Sequence, residues 1–384
     1  MASMDRQAMH WLLAVGTALA VAACGGGGGS SNPAIPANAT TKNVTLNGAQ
    51  VNPAVTTASS GNGFISVDEQ SGAVSGTIST FGINATSANL HEGAAGTNGA
   101  TIVELTQAKS GTWSVPEGTT LTSAQVASFK AGNLYVSMAS AANPNGEIRG
   151  QVGRMVFFAT LTGSQEVPAT GSTATGTGRW VFDPDTNTIS GTETVSGMNA
   201  TVSHFHAGAA GTTAPVAIPF TGGPTTWTLA PTKLTDTQAA ALLAGNFYAN
   251  AHSAANPSGE IRGQVYLPTK CTTLSGAQES PPNSSSATGS ACVGVNPNTK
   301  AVAGRIETQG IEGSVAHIHQ GPVGQVSPVI VPMTQTSPGV WTTAANAAFT
   351  DAQLIAFITG GTYVNVHSAA LPVGEIRGQL VTGQ

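Results

Sequence analysis

Two His-x-His pairs, His204-Phe-His206 and His317-Ile-His319, are each followed by one further histidine, His252 and His367. In a β-strand, residues i and i+2 point to the same side, about 6.5–7 Å apart. Each pair can therefore turn two imidazoles toward one ion. A third histidine on a later strand would make a three-ligand site of the kind that holds Zn or Cu. Glu166 and Glu279 are the nearest carboxylate candidates for a fourth ligand or an outer-sphere role. Two other uses of the same residues stay open: a polar cluster bonded to backbone groups, or a site for a ligand that is not a metal.

The histidines recur because the chain repeats. The hexapeptide Gly-Glu-Ile-Arg-Gly-Gln starts at Gly146, Gly259 and Gly374, so one unit is copied three times. The first copy keeps His91 but has Asn89 and Ala139 where the others have His204/His317 and His252/His367, and Val51 in place of Glu166/Glu279. Residues that form one site are expected to be lost together, whereas independent packing histidines need not be. The pairs Glu147/Arg149, Glu260/Arg262 and Glu375/Arg377 persist in all three copies. Read as one strand, each pair falls on one face, which suggests a structural ion pair.

Each unit opens with a strand and turn at Leu46–Gln50, Leu161–Gln165 or Leu274–Gln278, and the His run enters a Gly-containing loop. One tryptophan per unit (Trp113, Trp227, Trp341) suits a core anchor. Thr122/Gln125, Thr235/Gln238 and Thr350/Gln353 have capping-box spacing, and Gly132, Gly245 and Gly360 stand where a left-handed stop is needed. That predicts one helix of two to three turns per unit. A strand with Tyr135, Tyr248 or Tyr363 follows, then a turn and the hexapeptide strand. Seven or so strands with one short helix predict an all-β protein: three tandem Ig-like β-sandwich or barrel domains.

The net charge of −5 with 8% charged residues excludes the basic face that nucleic-acid binding needs. No Gly-x-Ser-x-Gly motif accompanies a plausible histidine and acid, and the Gly-rich stretches lack the context of a phosphate loop. At the N-terminus, Arg6 precedes an apolar stretch from Trp11 to Ala23, too short to span a bilayer comfortably. Val21-Ala-Ala-Cys24 looks like a bacterial lipobox, which implies a cleaved signal peptide (1–23) and a lipidated Cys24. Residues 24–41 then form a Gly/Ser-rich tether of roughly 20–25 Å. Gly25 after the cysteine favours the outer membrane of a Gram-negative cell. The remaining cysteines, Cys271 and Cys292, fall on the first two predicted strands of the third unit. A disulfide is expected there, closing a loop worth about 3 kcal/mol in the chain-entropy model.

Three stretches resemble the CHRD domain, named for the secreted antagonist chordin and found also in bacterial extracytoplasmic proteins. They are Leu161-x-Gly-x-Gln-Glu-Val-Pro168, His204-x-His206-x-Gly208-x-x-Gly211, and Tyr248-x-Asn-x-His252 through Gln264, with counterparts in the third unit. The resemblance implies Ig-like β domains at 42–153, 154–268 and 269–384 and brings no catalytic reaction with it. Together with the lipobox-like N-terminus, it leads to the expectation of a lipid-anchored binding or structural module with an unknown protein or surface ligand. The His-x-His pair with a later strand histidine is similar to the copper site of Cu/Zn superoxide dismutase, the alternative reading as a redox enzyme. That enzyme's bridging histidine and zinc-loop cluster have no counterpart in this sequence.

Overall fold

The computed structural model describes residues 35, 38–109, 111–296 and 299–381. The expected signal peptide (1–23) and Cys24 lie outside them, and the expected tether (24–41) runs too far, because Ala39–Thr41 already belong to the first strand, Ala39–Asn47. No helix among the described residues is long and apolar enough to cross a membrane.

The three units share one strand order. In unit three, eight strands close into a barrel: Thr269–Ser275, Thr288–Val295, Val302–Gln309, Val340–Thr343, Val329–Ser337, Gly313–Gln320, Thr362–Ser368 and Ile376–Gln379. All pairs are antiparallel. Units one and two wrap the same way, but the strand equivalent to Val329–Ser337 is split at Leu105 and at Phe220. Those two residues turn into their cores, 5% exposed in each case, and their N–H groups bond to Ala88 O and Ser203 O instead. Period-two alternation fills each barrel: Phe205, Ala249, Ala251 and Ile261 point inward in unit two and are fully buried.

The three helices are α1 (Ser123–Lys130), α2 (Asp236–Leu243) and α3 (Asp351–Ile358). All three carry the reciprocal Thr/Gln capping box, and Gly132, Gly245 and Gly360 end them at φ of 72, 74 and 76°. Each presses its last turn onto the barrel end through Phe129, Leu242 or Phe357. The Cys271–Cys292 disulfide, with an S–S distance of 2.03 Å, joins directly opposed residues of the first two strands of unit three.

Each unit touches both others. Lys42 pairs with Asp185 at 3.3 Å between units one and two. Asn296 Nδ2 donates to Thr57 O at 3.0 Å between units three and one. Gly245 lies close enough to Ile358 O, between units two and three, that a Cβ would sit 2.4 Å from it.

One core position departs from the repeat. Ile78 and Ile306 stand opposite Trp113 and Trp341, but in unit two the residue opposite Trp227 is Glu193. Its carboxyl is fully buried, accepts one bond from Ser203 Oγ at 2.7 Å, and leaves Oε2 without a partner. Burial raises its pKa from 4.5 to about 7, with the Ser203 bond opposing. The fold therefore keeps a proton that the unfolded chain releases. Stability is full below the unfolded value, falls as pH climbs through about 7, and stays low above it. Glu193→Ile is expected to raise stability at pH 8 by about 3 kcal/mol and to do far less at pH 5. Urea unfolding at the two pH values checks this; an equal gain at both contradicts it.

Candidate functional site

The site of unit two lies on the outer face of the barrel, across three neighbouring strands. Ala200–Ala207 pairs with Phe247–Ser253, which pairs with Ile261–Gln264. The registers set His206 beside Tyr248 and Gln264, His204 beside Asn250 and Arg262, and Val202 beside His252. Unit three repeats them as His319–Tyr363–Gln379, His317–Asn365–Arg377 and Val315–His367. Alternate residues face the core, Ser203 being the polar one among them; the residues between carry the chemistry.

A frame holds this face in all three units. The Arg262 guanidinium lies 3.4 Å from the Tyr248 ring centre, and Arg149 and Arg377 lie 3.5 Å from Tyr135 and Tyr363. The same tyrosine ring stacks on a histidine: His206 at 4.6 Å, His91 and His319 at 4.7 Å, with planes within 9°. Arg262 also donates to Thr212 O at 2.6 Å and Ala209 O at 3.0 Å, which pins the loop after the His run. Gln264 Nε2 bridges Gly208 O and Gly245 O, tying that loop to the end of α2. Gln151 and Gln379 do the same in their units.

Within the frame, His204, His206 and His252 converge, as do His317, His319 and His367, each set with ligand atoms within 4.8 Å of one another. The Nδ1 atoms of His206 and His252 lie 2.7 and 3.0 Å from Ala214 O and Pro257 O. Those of His319 and His367 lie 2.8 and 3.0 Å from Ser327 O and Pro372 O. A carbonyl can only accept, so Nδ1 carries the proton and Nε2 keeps its lone pair. The Nε2 atoms of His252, His319 and His367 and the Nδ1 atoms of His204 and His317 are buried without a partner. Burial, helped by the neighbouring imidazoles, pushes His204 and His317 down to about 4. It also lowers His206, His252, His319 and His367. Burial thus favours the neutral form of all six rings, the state in which imidazole is a ligand.

Glu166 and Glu279 do not fall within the His clusters. Each accepts from a buried asparagine, Asn250 Nδ2 and Asn365 Nδ2, at 2.6 Å. Burial raises both to about 7, against the pull of Arg262 and Arg377. These carboxylates are the acidic neighbours of the two arginines. The expected ion pairs Glu147/Arg149, Glu260/Arg262 and Glu375/Arg377 do not form. Each glutamate precedes its strand, in the turn after a glycine at φ of 121, 129 or 138°, so strand alternation does not carry it to the arginine's face. Glu147 accepts instead from Ser59 and Thr57, Glu260 from Ser172 and Ser253, and Glu375 from Ser285.

Asn250 and Asn365 were not among the expected site residues. Their signal is the shared Tyr-x-Asn-x-His spacing, which unit one breaks with Ser137 and Ala139. In unit one, His91 faces Gly99 O and Thr101 without other histidines beside it. Its loop is also covered: Arg179 of unit two reaches Gly96 so closely that a Cβ there would meet Nη1 at 2.7 Å, whereas Gly211 and Gly324 have no neighbour within 4 Å.

A barrel repeated three times, each with the Tyr-stacked arginine of the hexapeptide and two with a three-histidine face, is the architecture into which the family match falls. The CHRD domain matches residues 42–152, 157–265 and 271–380. The chain belongs to the CHRD domain family, in three tandem copies. No curated protein matches it. Among the described residues, the two triads are the groups of three or more potential metal ligands. They share no histidine, so the likeness to Cu/Zn superoxide dismutase gains no support.

The frame predicts a stability effect separable from the histidines. Gln264→Met removes both bonds to Gly208 O and Gly245 O and leaves two carbonyls to be satisfied. A loss of about 2–4 kcal/mol in unit two is expected, seen by calorimetry as a lowered transition. Gln151→Met should cost unit one a similar amount although it lacks the triad. Unchanged transitions in both would contradict the structural role.

Proposed function

We propose that the protein is a lipid-anchored extracytoplasmic binding module that holds one divalent transition-metal ion in unit two and one in unit three. His204, His206 and His252 would hold the first ion; His317, His319 and His367 would hold the second. The observation that supports this most is the set of orphaned ring nitrogens. Several buried lone pairs meet with no donor between them, at a cost that a single cation would cancel. Four of the six rings also donate Nδ1–H to a carbonyl, the outer-sphere arrangement that orients imidazole ligands. Three neutral imidazoles suit Zn or Cu. A bound ion would supply a Lewis-acidic centre on the outer side of the sheet, with unit one as the metal-free member of the array.

The anchor rests on sequence. Cleavage before Cys24 and lipidation there would place the three units outside the cytoplasm at the outer membrane, tethered by the Gly/Ser segment, facing a protein or surface ligand. The oxidised Cys271–Cys292 pair agrees with an extracytoplasmic compartment.

Elemental analysis of metal-loaded mature protein is expected to find two ions per chain. One should remain in His204→Ala and in His317→Ala, none in the double variant, and two in His91→Ala. Zero ions in the wild type, or equal losses from His91→Ala and His204→Ala, would refute the metal reading. Cys24→Ala is expected to release the protein from the membrane fraction; retention there would refute the anchor.

A further inference from the structure

We propose that Asn250 and Asn365 complete the two metal sites with an amide oxygen, and that Glu166 and Glu279 are the residues that aim it. This rests on the metal reading of the His triads and deepens it.

The placement comes from register. Asn250 is directly opposite His204 and two residues before His252 on the same face; Asn365 has the same relation to His317 and His367. Both are 3% exposed. The orientation comes from the carboxylates. Glu166 Oε1 and Glu279 Oε1 each accept from the amide nitrogen at 2.6 Å, which turns the amide oxygen away from the carboxyl. Oδ1 is then held on the other side, and in both units it is buried with no partner. Two copies of one unsatisfied acceptor, each beside a cluster of unsatisfied imidazole nitrogens, point to a single cation as their common partner.

The backbone makes room for this pair. A Cβ on Gly259 would lie 2.8 Å from both Asn250 Nδ2 and Glu166 Oε1, and one on Gly374 would lie 2.6 Å from Asn365 Nδ2 and 2.7 Å from Glu279 Oε2. The carboxylate also offsets charge, because Arg262 or Arg377 stands close by and would otherwise repel an incoming cation. Unit one loses all of it at once: Val51 for the glutamate, Ser137 for the asparagine, Asn89 and Ala139 for two histidines. It keeps His91, Tyr135, Arg149 and Gln151, the frame. The asparagine and glutamate therefore segregate with the ligands, not with the fold. An amide oxygen beside three imidazoles suits Zn(II) or Cu(II) and not Cu(I).

The test uses residues that unit one already accommodates. The mature chain carrying Asn250→Ser and Asn365→Ser is loaded with Cu(II) and titrated against a competing chelator. The expected result is two ions still bound, with affinity 10–100-fold lower and an altered Cu(II) EPR spectrum. Glu166→Val with Glu279→Val should weaken binding in the same direction. Unchanged affinity and an unchanged spectrum in the Asn→Ser variant, with two ions on the wild type, would overturn the assignment. A wild type that binds no Cu(II) or Zn(II) would overturn the metal reading beneath it.

Discussion

A buried guanidinium is expensive unless its donors are met, and in each unit meeting them organises the outer face of the barrel. Arg149, Arg262 and Arg377 are each 2% exposed. Their partners are carbonyls of the loop after the His run, together with the tyrosine ring beneath. Satisfying the arginine draws that loop onto the sheet. The loop in turn offers a carbonyl to the second histidine of the run and an N–H to the tyrosine hydroxyl. The histidine is stacked, its tautomer set and its other nitrogen left free, all as consequences of where one arginine must go.

This separates two layers that occupy the same face of three neighbouring strands. The frame consists of the arginine, tyrosine, glutamine and the stacked histidine; it is present in three units. The proposed site consists of the other two histidines, the asparagine and the glutamate; these are present in two. The stacked histidine belongs to both layers, which is why His91 survives where its neighbours have gone. In unit one Arg179 of unit two lies over the loop at Gly96, while Asn89, His91, Ser137 and Ala139 on the sheet face are only half-buried.

Much of this was legible in the sequence because it rests on local rules. The Thr/Gln boxes, the glycine stops, the strand carrying each tryptophan and the opposed cysteines each depend on spacing within a few residues or on one hairpin. The His triads were legible because i, i+2 alternation and copy-to-copy loss point the same way. The Glu/Arg pairs were misread because a strand was extended one residue into a turn, where a glycine with positive φ redirects the glutamate toward serines. Asn250 and Asn365 were overlooked because a neutral amide carries no metal-ligand signature by type, and its unpartnered oxygen is visible only in the folded chain. Glu193 in the core and Arg179 over unit one depend on long-range packing that no local pattern encodes.

The central claim is that the frame is common to three units and a metal site to two. An anomalous difference map from crystals of the mature protein grown with Zn(II) addresses it directly. The account predicts two strong peaks, one within about 2.0–2.2 Å of nitrogens from His204, His206 and His252 and one likewise among His317, His319 and His367, with none beside His91. No peak at either triad, or a peak of equal height at His91, would contradict it.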